Sequence, residues 1–287
     1  MKVLVADPIA DEGIDILRSC AQVDIKPGLK SEEIIAIIGD YEAMVVRSQT
    51  QVSAKVIAAG KKLQVIARAG VGVDNIDVRE ATRRGIVVIN APTGNTISAA
   101  EHTIALMLSL ARHIPQANAK LKSGVWQRSD FMGTEVKDKT LGIIGLGNVG
   151  SEVARRARGL EMKLIAHDPF VSVEYTHNLR VELVSLKQIL KEADFITLHL
   201  PLTASTRGLI GVKELALVKP TIRIINTARG GLIDEEALAK AIKEKKVAGA
   251  AIDVFSREPT TKSVLFEDDN IITTPLTGWF VAYPDQP

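Results

Sequence analysis

The chain has 287 residues, 46% of them hydrophobic and 24% charged, a globular balance with length for two domains that excludes a disordered or collagen-like chain. Lys and Arg total 36 against 34 Asp and Glu, so the net charge of +2 makes no case for nucleic acid or an anionic membrane, and an anionic partner must be small and locally held. Cys20, the single cysteine, cannot close an internal disulfide, and the five histidines show no HExxH or CxxC context, so no metal site and a reducing compartment are expected. The apolar run at residues 1–8 is too short for a signal segment or a membrane span, and a cytoplasmic protein is expected.

In chain order, short apolar runs alternate with helix-period segments, the pattern of parallel βαβ units. Strands are expected near 3–5, 23–25, 43–46, 64–67 and 87–90, with helices between them such as 32–38. From Asn95 the character changes. Ile97, Ala100, Ile104, Met107, Leu108 and Ala111 recur at helical spacing behind a possible Thr96 or Ser98 cap, so a long helix should start there and bend or end near Pro115. This helix is read as the link into a second domain. Beyond a loop with Gly124, Trp126 and Gly133, a second series has strands at 140–144, 163–166, 195–198, 222–226, 248–252 and 271–273, a doubly wound plan.

The strongest motif is the apolar strand that runs into Gly145-Leu146-Gly147-Asn148-Val149-Gly150 and then a helix expected over 151–159. Gly145 suits the tight turn, Gly147 lets the backbone approach a pyrophosphate and Gly150 allows close helix packing, with the helix N-terminus attracting the negative charge. The next strand ends in Asp168, where a carboxylate can accept both ribose hydroxyls and repel a 2′-phosphate, favouring NAD over NADP. Later strands end in Leu200-Pro201, Thr227-Ala228-Arg229-Gly230-Gly231, Asp253 and Thr274-Pro275, the edge at which open parallel sheets take ligands. Arg229 at that edge could hold a carboxylate bidentately. In the first domain Arg47 ends a strand, and residues 67–74 form a glycine-rich turn suited to an anion nest. Taken alone, Arg47 reads equally well as a solvated charge.

Val46-Arg47-Ser48, the segment 70–77, the Gly145 to Gly150 loop, the segment 226–231 and the segment 253–259 together resemble the signatures of the D-isomer-specific 2-hydroxyacid dehydrogenases. The resemblance runs from residue 1 to about 275. It implies two doubly wound α/β domains: a flavodoxin-like substrate domain over 1–94 and a Rossmann NAD-binding domain over 95–280, with 281–287 a divergent tail. It further implies that Arg229 orients a substrate carboxylate and that Glu258 tunes a catalytic histidine. Arg47, Ser48, Val71, Gly72 and Asn95 would receive the substrate anion. Gly145, Gly147, Asn148, Val149, Gly150, Asp168, Leu200, Pro201, Thr206, Thr227, Ala228, Arg229 and Asp253 would hold NAD. The segments 67–70 and 126–135 point within the family to a phosphorylated 2-hydroxy acid as substrate.

The sequence departs from the family at one catalytic position. The family histidine follows a proline of the kind at Pro275, where this chain has Leu276, and none of His102, His113, His167, His177 and His199 lies near it. His102 reads as structural or interfacial, and His199 as a buried, hydrogen-bonded strand residue. The final residues are aromatic-rich without helical period, and are read as a truncated or frameshifted end. An NAD-binding regulatory protein without turnover, or a dehydrogenase of another small D-2-hydroxy acid, are the alternatives. A homodimer is expected through the surface of 96–121 and Trp126, with a tetramer open and a core position for Trp126 the competing reading.

Overall fold

Strands buried on both faces are unbroken apolar runs rather than alternating ones, and the computed structural model, which describes residues 1–278, assembles such runs into two all-parallel sheets. The chain divides into one unit over Met1–Asn95 and another that begins at Thr96.

The first unit runs β1 (Lys2–Val5), α1 (Asp11–Arg18), β2 (Gln22–Ile25), α2 (Ser31–Ile37), β3 (Ala43–Val46), α3 (Ala54–Ala59), β4 (Val65–Arg68), α4 (Val78–Arg83) and β5 (Val87–Asn90). The strand order is β2-β1-β3-β4-β5, the flavodoxin-like order, which reverses between β1 and β3. Alternation sorts the side chains onto two faces. Leu4, Met44, Val46 and Ile66 pack with Ile34, Val56 and Ile57 on one, while Val3, Val5, Ala43 and Val45 pack with Ile14 of α1 on the other.

The second unit opens with α5 (Thr96–Arg112) and α6 (Ile114–Lys122), followed by β6 (Thr140–Ile144), α7 (Asn148–Gly159), β7 (Lys163–His167), α8 (Val173–Leu179), β8 (Glu182–Leu183), α9 (Leu186–Glu192), β9 (Phe195–Leu198), α10 (Val212–Leu215), β10 (Arg223–Asn226), α11 (Glu235–Lys243), β11 (Gly249–Ile252) and β12 (Ile271–Thr273). Its order, β12-β11-β10-β9-β6-β7-β8, makes seven strands. The added one, β8, pairs through only two residues, too few for a periodic signal. Apolar residues of α5 and α7, among them Met107, Leu110 and Val153, cover Leu141, Ile143 and Ile225 on one face. Ile189, Leu190, Leu238 and Ile242 cover Ile144, Ile196 and Ile224 on the other.

The long helix ends at Arg112, near Pro115 as the sequence reading has it, and the detail lies in how it ends: His113 is left-handed at φ 53°, and Pro115 lies in the first turn of α6. A proline lacks the N–H that a first turn leaves unbonded, so it starts the second helix instead of ending the first. The helix after the glycine-rich loop begins at Asn148 with Gly147 as its N-cap, not at 151, so Asn148, Val149 and Gly150 form its first turn. The proposed divergent tail, 281–287, lies outside the described residues.

Candidate active site

The pairing register lines up the candidate residues of the second unit. Ile144 pairs with His167 of β7 and Leu198 of β9, Leu198 with Asn226 of β10, Asn226 with Ile252 of β11, and Ile252 with Thr273 of β12. The residues that follow, Gly145, Asp168, His199, Thr227, Asp253 and Thr274, therefore form one row along the carboxyl edge. The strand order reverses between β6 and β9, the place where doubly wound sheets take ligands.

Each glycine of the loop has its own reason. Gly145 has φ 93°, and a methyl group there would lie 2.8 Å from Leu200 Cδ2, so the turn demands a residue without Cβ. A methyl on Gly150 would overlap the Gly145 carbonyl oxygen and lie 3.1 Å from its carbonyl carbon, which lets α7 start hard against β6. A methyl on Gly147 would meet nothing within 4 Å. The protein itself does not need that glycine small, and the open space lies at the N-cap of α7, where the first-turn N–H groups and the helix dipole attract a pyrophosphate. NAD fits this cradle.

Asp168 lies at the end of β7, half-buried. Its Oδ2 accepts from the Leu146 N–H at 2.8 Å and its Oδ1 from the Phe170 N–H at 2.9 Å. Each oxygen keeps a second lone pair for a ribose hydroxyl. The loop with Leu200 and Pro201 closes through Thr206, whose hydroxyl donates to the Pro201 carbonyl at 2.7 Å. Thr227 is 3% exposed, and its hydroxyl pairs with that of Thr103 on α5 at 2.7 Å. Thr103 donates to the Ala99 carbonyl, so Thr227 is the donor to Thr103, and its hydroxyl oxygen is left only as an acceptor.

Arg229 is set by the turn behind it. Asn226 Nδ2 donates to the Arg229 carbonyl at 2.9 Å, Asn226 Oδ1 accepts from the Ala228 N–H at 3.1 Å, and the guanidinium donates to the Ala228 carbonyl at 2.7 Å. Gly230 lies directly on the Phe255 carbonyl, where a methyl would also sit 2.6 Å from Ser256 N. Phe255 in turn donates its N–H to Glu258 Oε1 at 2.7 Å. Loss of surrounding water pushes the Glu258 carboxyl above its ordinary range, against the pull of the Phe255 N–H and of Arg229, while the charge of Asp253 adds to the rise. Arg229 and Asp253 thus both act on Glu258, in opposite directions.

Asp253 is fully buried. Burial alone would push its carboxyl up, but hydrogen bonds from His102, Thr274 Oγ1 and the N–H groups of Thr277 and Gly278 outweigh it and hold the group below its ordinary range. Thr274 donates at 2.5 Å, Thr277 and Gly278 at 2.9 and 3.0 Å, and His102 Nε2 lies 3.4 Å away. His102 was expected to be structural or interfacial; it borders this cluster, also 3.3 Å from Thr274 Oγ1. No spacing rule links residues so far apart in the chain. Leu276 has φ 57° and binds the Asp253 carbonyl through its N–H at 3.0 Å. His199 bonds Thr197 Oγ1 at 2.9 Å, and burial of its ring pushes it down to about 3. It stays neutral at physiological pH and cannot serve there as the titrating base.

In the first unit Arg47 and Ser48 follow β3, and Val71 and Gly72 lie in the loop after β4, all at the carboxyl edge of that sheet. Asn90 Nδ2 donates to the Val71 carbonyl at 2.6 Å and so ties that loop to the end of β5. Asn95 is the last residue of the unit. Among the described residues no cluster of three or more His, Cys, Asp or Glu could hold a metal, and no helix is long and apolar enough to cross a membrane.

A strand, a glycine-rich turn, an open helix N-terminus and an acid at the next strand end define the second unit as a doubly wound dinucleotide-binding domain. The family model described as D-isomer specific 2-hydroxyacid dehydrogenase, NAD binding domain, matches residues 104–278, and the chain belongs to that family. It is 55% identical over 277 residues to a D-3-phosphoglycerate dehydrogenase of Synechocystis, covering 96% of this chain and 50% of the relative. It is 53% identical to one of Archaeoglobus fulgidus, covering 96% and 53%. The chain thus spans about half the length of these curated relatives. Among solved structures it resembles a glyoxylate reductase from Paecilomyes thermophila with a TM-score of 0.90 at 32% identity, over 97% of this chain and 88% of that one. It also resembles the D-lactate dehydrogenase of Aquifex aeolicus complexed with NAD and lactic acid, with a TM-score of 0.85 at 26% identity over 98% and 90%.

Proposed function

We propose that the chain is a dehydrogenase of D-3-phosphoglycerate, oxidising C2 to give 3-phosphohydroxypyruvate, the first step of serine biosynthesis, in the cytoplasm. The observation that carries this reading is the row of Gly145, Asp168, Thr227 and Asp253 along the carboxyl edge of the second sheet, with Arg229 held by Asn226 in the turn that follows Thr227. NAD, when bound, supplies the hydride acceptor. Gly145, Gly147 and Gly150, with the first-turn residues Asn148 and Val149, receive its pyrophosphate, and Asp168 its ribose hydroxyls. Leu200, Pro201, Thr206, Thr227, Ala228 and Asp253 hold the rest. Arg229 takes the substrate carboxylate, its planar fork fixing the hydroxy acid about C2. Arg47, Ser48, Val71, Gly72 and Asn95 take the phosphate. Identity of about half to the two D-3-phosphoglycerate dehydrogenases supports this substrate over glyoxylate or lactate.

Leu276 favours a second reading, an NAD-binding protein without turnover, because a hydrocarbon side chain takes no proton and Glu258 would lack the imidazole it tunes. General acid–base catalysis contributes about 10²- to 10⁴-fold. The test is calorimetric NAD binding together with NADH production from D-3-phosphoglycerate at alkaline pH, with Leu276→His alongside. The backbone at 276 accepts the change, since His is among the residues enriched at positive φ. NAD binding with turnover raised by about that factor in the variant is expected. Failure to bind NAD refutes the reading. Turnover by the unsubstituted chain equal to that of the variant refutes the account of Leu276.

The assembly proposed is a homodimer, with a tetramer the larger alternative. Trp126 is 78% exposed and not in the core, and it lines one surface depression with Leu121 and Val125, 55% and 40% exposed, an apolar surface suited to a self-complementary contact.

A further inference from the structure

The strand order of the first unit reverses between β1 and β3, and the crevice outside those two strand ends is where such sheets take ligands. A carboxylate bridges it here. Asp7, 1% exposed, accepts from the Arg47 N–H at 2.6 Å and the Thr50 N–H at 3.2 Å through Oδ2, and from the Thr50 hydroxyl at 2.6 Å through Oδ1. From the opposite side Asn75, 8% exposed, donates through Nδ2 to the Arg47 carbonyl at 2.7 Å and the Thr50 carbonyl at 2.6 Å. The Val52 N–H donates to the Asn75 carbonyl at 2.7 Å. The N–H and the C=O of both Arg47 and Thr50 are therefore engaged, by Asp7 just past β1 and by Asn75 in the loop after β4, and Arg68 Nε adds a longer contact to the Arg47 carbonyl at 3.3 Å.

Asn75 suits this place for a chemical reason. One amide nitrogen supplies two donors in a plane, which matches two carbonyls side by side. Its Oδ1 is buried and accepts from no partner among the described residues. Turning the amide over would set that oxygen against both carbonyls, so the two donors alone fix the orientation and explain why a buried acceptor is left unmatched. Asn75 also belongs to the loop that carries Val71 and Gly72. It ties that loop to the turn that carries Arg47 and Ser48.

We infer that Asn75 is a positioning residue for anion recognition: a strut that, with Asp7 and Thr50, holds the Arg47 turn and the Val71–Gly72 loop in the register that a phosphorylated hydroxy acid requires. The inference rests on the reading of Arg47 given under the proposed function.

The test is calorimetric binding of D-3-phosphoglycerate to the NAD-saturated chain, with NAD affinity and amide hydrogen exchange measured on the same samples. Asn75→Asp sets a carboxylate against two carbonyls. It should weaken D-3-phosphoglycerate about 5- to 30-fold, the range of one or two lost hydrogen bonds, leave NAD affinity within about twofold, and speed exchange at the Arg47 and Thr50 amides. Thr50→Val, which removes one hydroxyl at nearly constant shape, should act in the same direction by about fivefold, and it serves if the first variant fails to fold. Arg47→Ala separates the two claims. If it weakens binding while Asn75→Asp and Thr50→Val bind like the unsubstituted chain, the strut is refuted and the reading of Arg47 stands. If Arg47→Ala changes nothing, or the unsubstituted chain does not bind D-3-phosphoglycerate, the reading fails and the strut with it.

Discussion

Gly147 and Gly150 lie in one turn of chain, yet the structure assigns them opposite consequences on substitution by alanine. At Gly150 the added methyl overlaps the Gly145 carbonyl oxygen, 3.1 Å from its carbonyl carbon and 3.4 Å from Ile143 Cγ2. The clash is with backbone in a tight turn, which cannot give as a flexible side chain would. Against backbone, overpacking falls at the upper end of its range, about 2–3 kcal/mol, and the gain of about 1 kcal/mol from replacing a helical glycine offsets part of it. A net loss of about 1–2 kcal/mol corresponds to a melting point about 2–8 °C lower for a domain of this size. At Gly147 the methyl enters open space, and alanine at an N-cap in place of glycine costs at most about 1 kcal/mol, so melting should move by less than about 4 °C. The same methyl would occupy the approach of the pyrophosphate, and steric cost of about 1–3 kcal/mol there weakens NAD about 5- to 150-fold. Thermal melts by circular dichroism and NAD calorimetry on both variants separate the two effects. Gly147→Ala that binds NAD as tightly as the unsubstituted chain would refute the cradle; Gly150→Ala that melts with it would refute the backbone clash.

His199 makes stability depend on pH. Its folded value near 3 lies below the unfolded value of about 6.5, so its contribution is complete above pH 6.5 and is lost as pH falls toward 3, reaching about 2 kcal/mol by pH 5. Melts at pH 7 and pH 5 should show a smaller drop for His199→Gln than for the unsubstituted chain, and equal drops would contradict the neutral buried ring. Gly230→Ala drives a methyl into the Phe255 carbonyl, 2.6 Å from Ser256 N, so it should lower the melting point and displace Arg229. D-3-phosphoglycerate affinity should fall at least about tenfold, with a smaller effect on NAD; an unchanged substrate affinity would show that the turn does not set the guanidinium.

Much of this protein is local in origin and therefore legible in the amino-acid order. Runs such as 43–46 and 195–198 show no burial alternation, the one polar residue, Thr197, being buried like its neighbours, because parallel strands bury both faces, and they appear as β3 and β9. The glycine-rich turn is legible for the same reason, since tight turns, close approaches and helix starts are properties of a few consecutive residues. Short-range signals fail where pairing supplies the stability: β8 pairs through two residues. Tertiary structure alone decided the contacts between distant segments. The burial of the Thr227 hydroxyl against Thr103, the His102 ring beside Asp253, and the hold of Asp7 and Asn75 on the Arg47 turn join residues with no periodic relation in sequence. Parallel strands with crossover helices bring carboxyl ends together from remote parts of the chain, so the residue types were visible in order, while their partners came only from strand register.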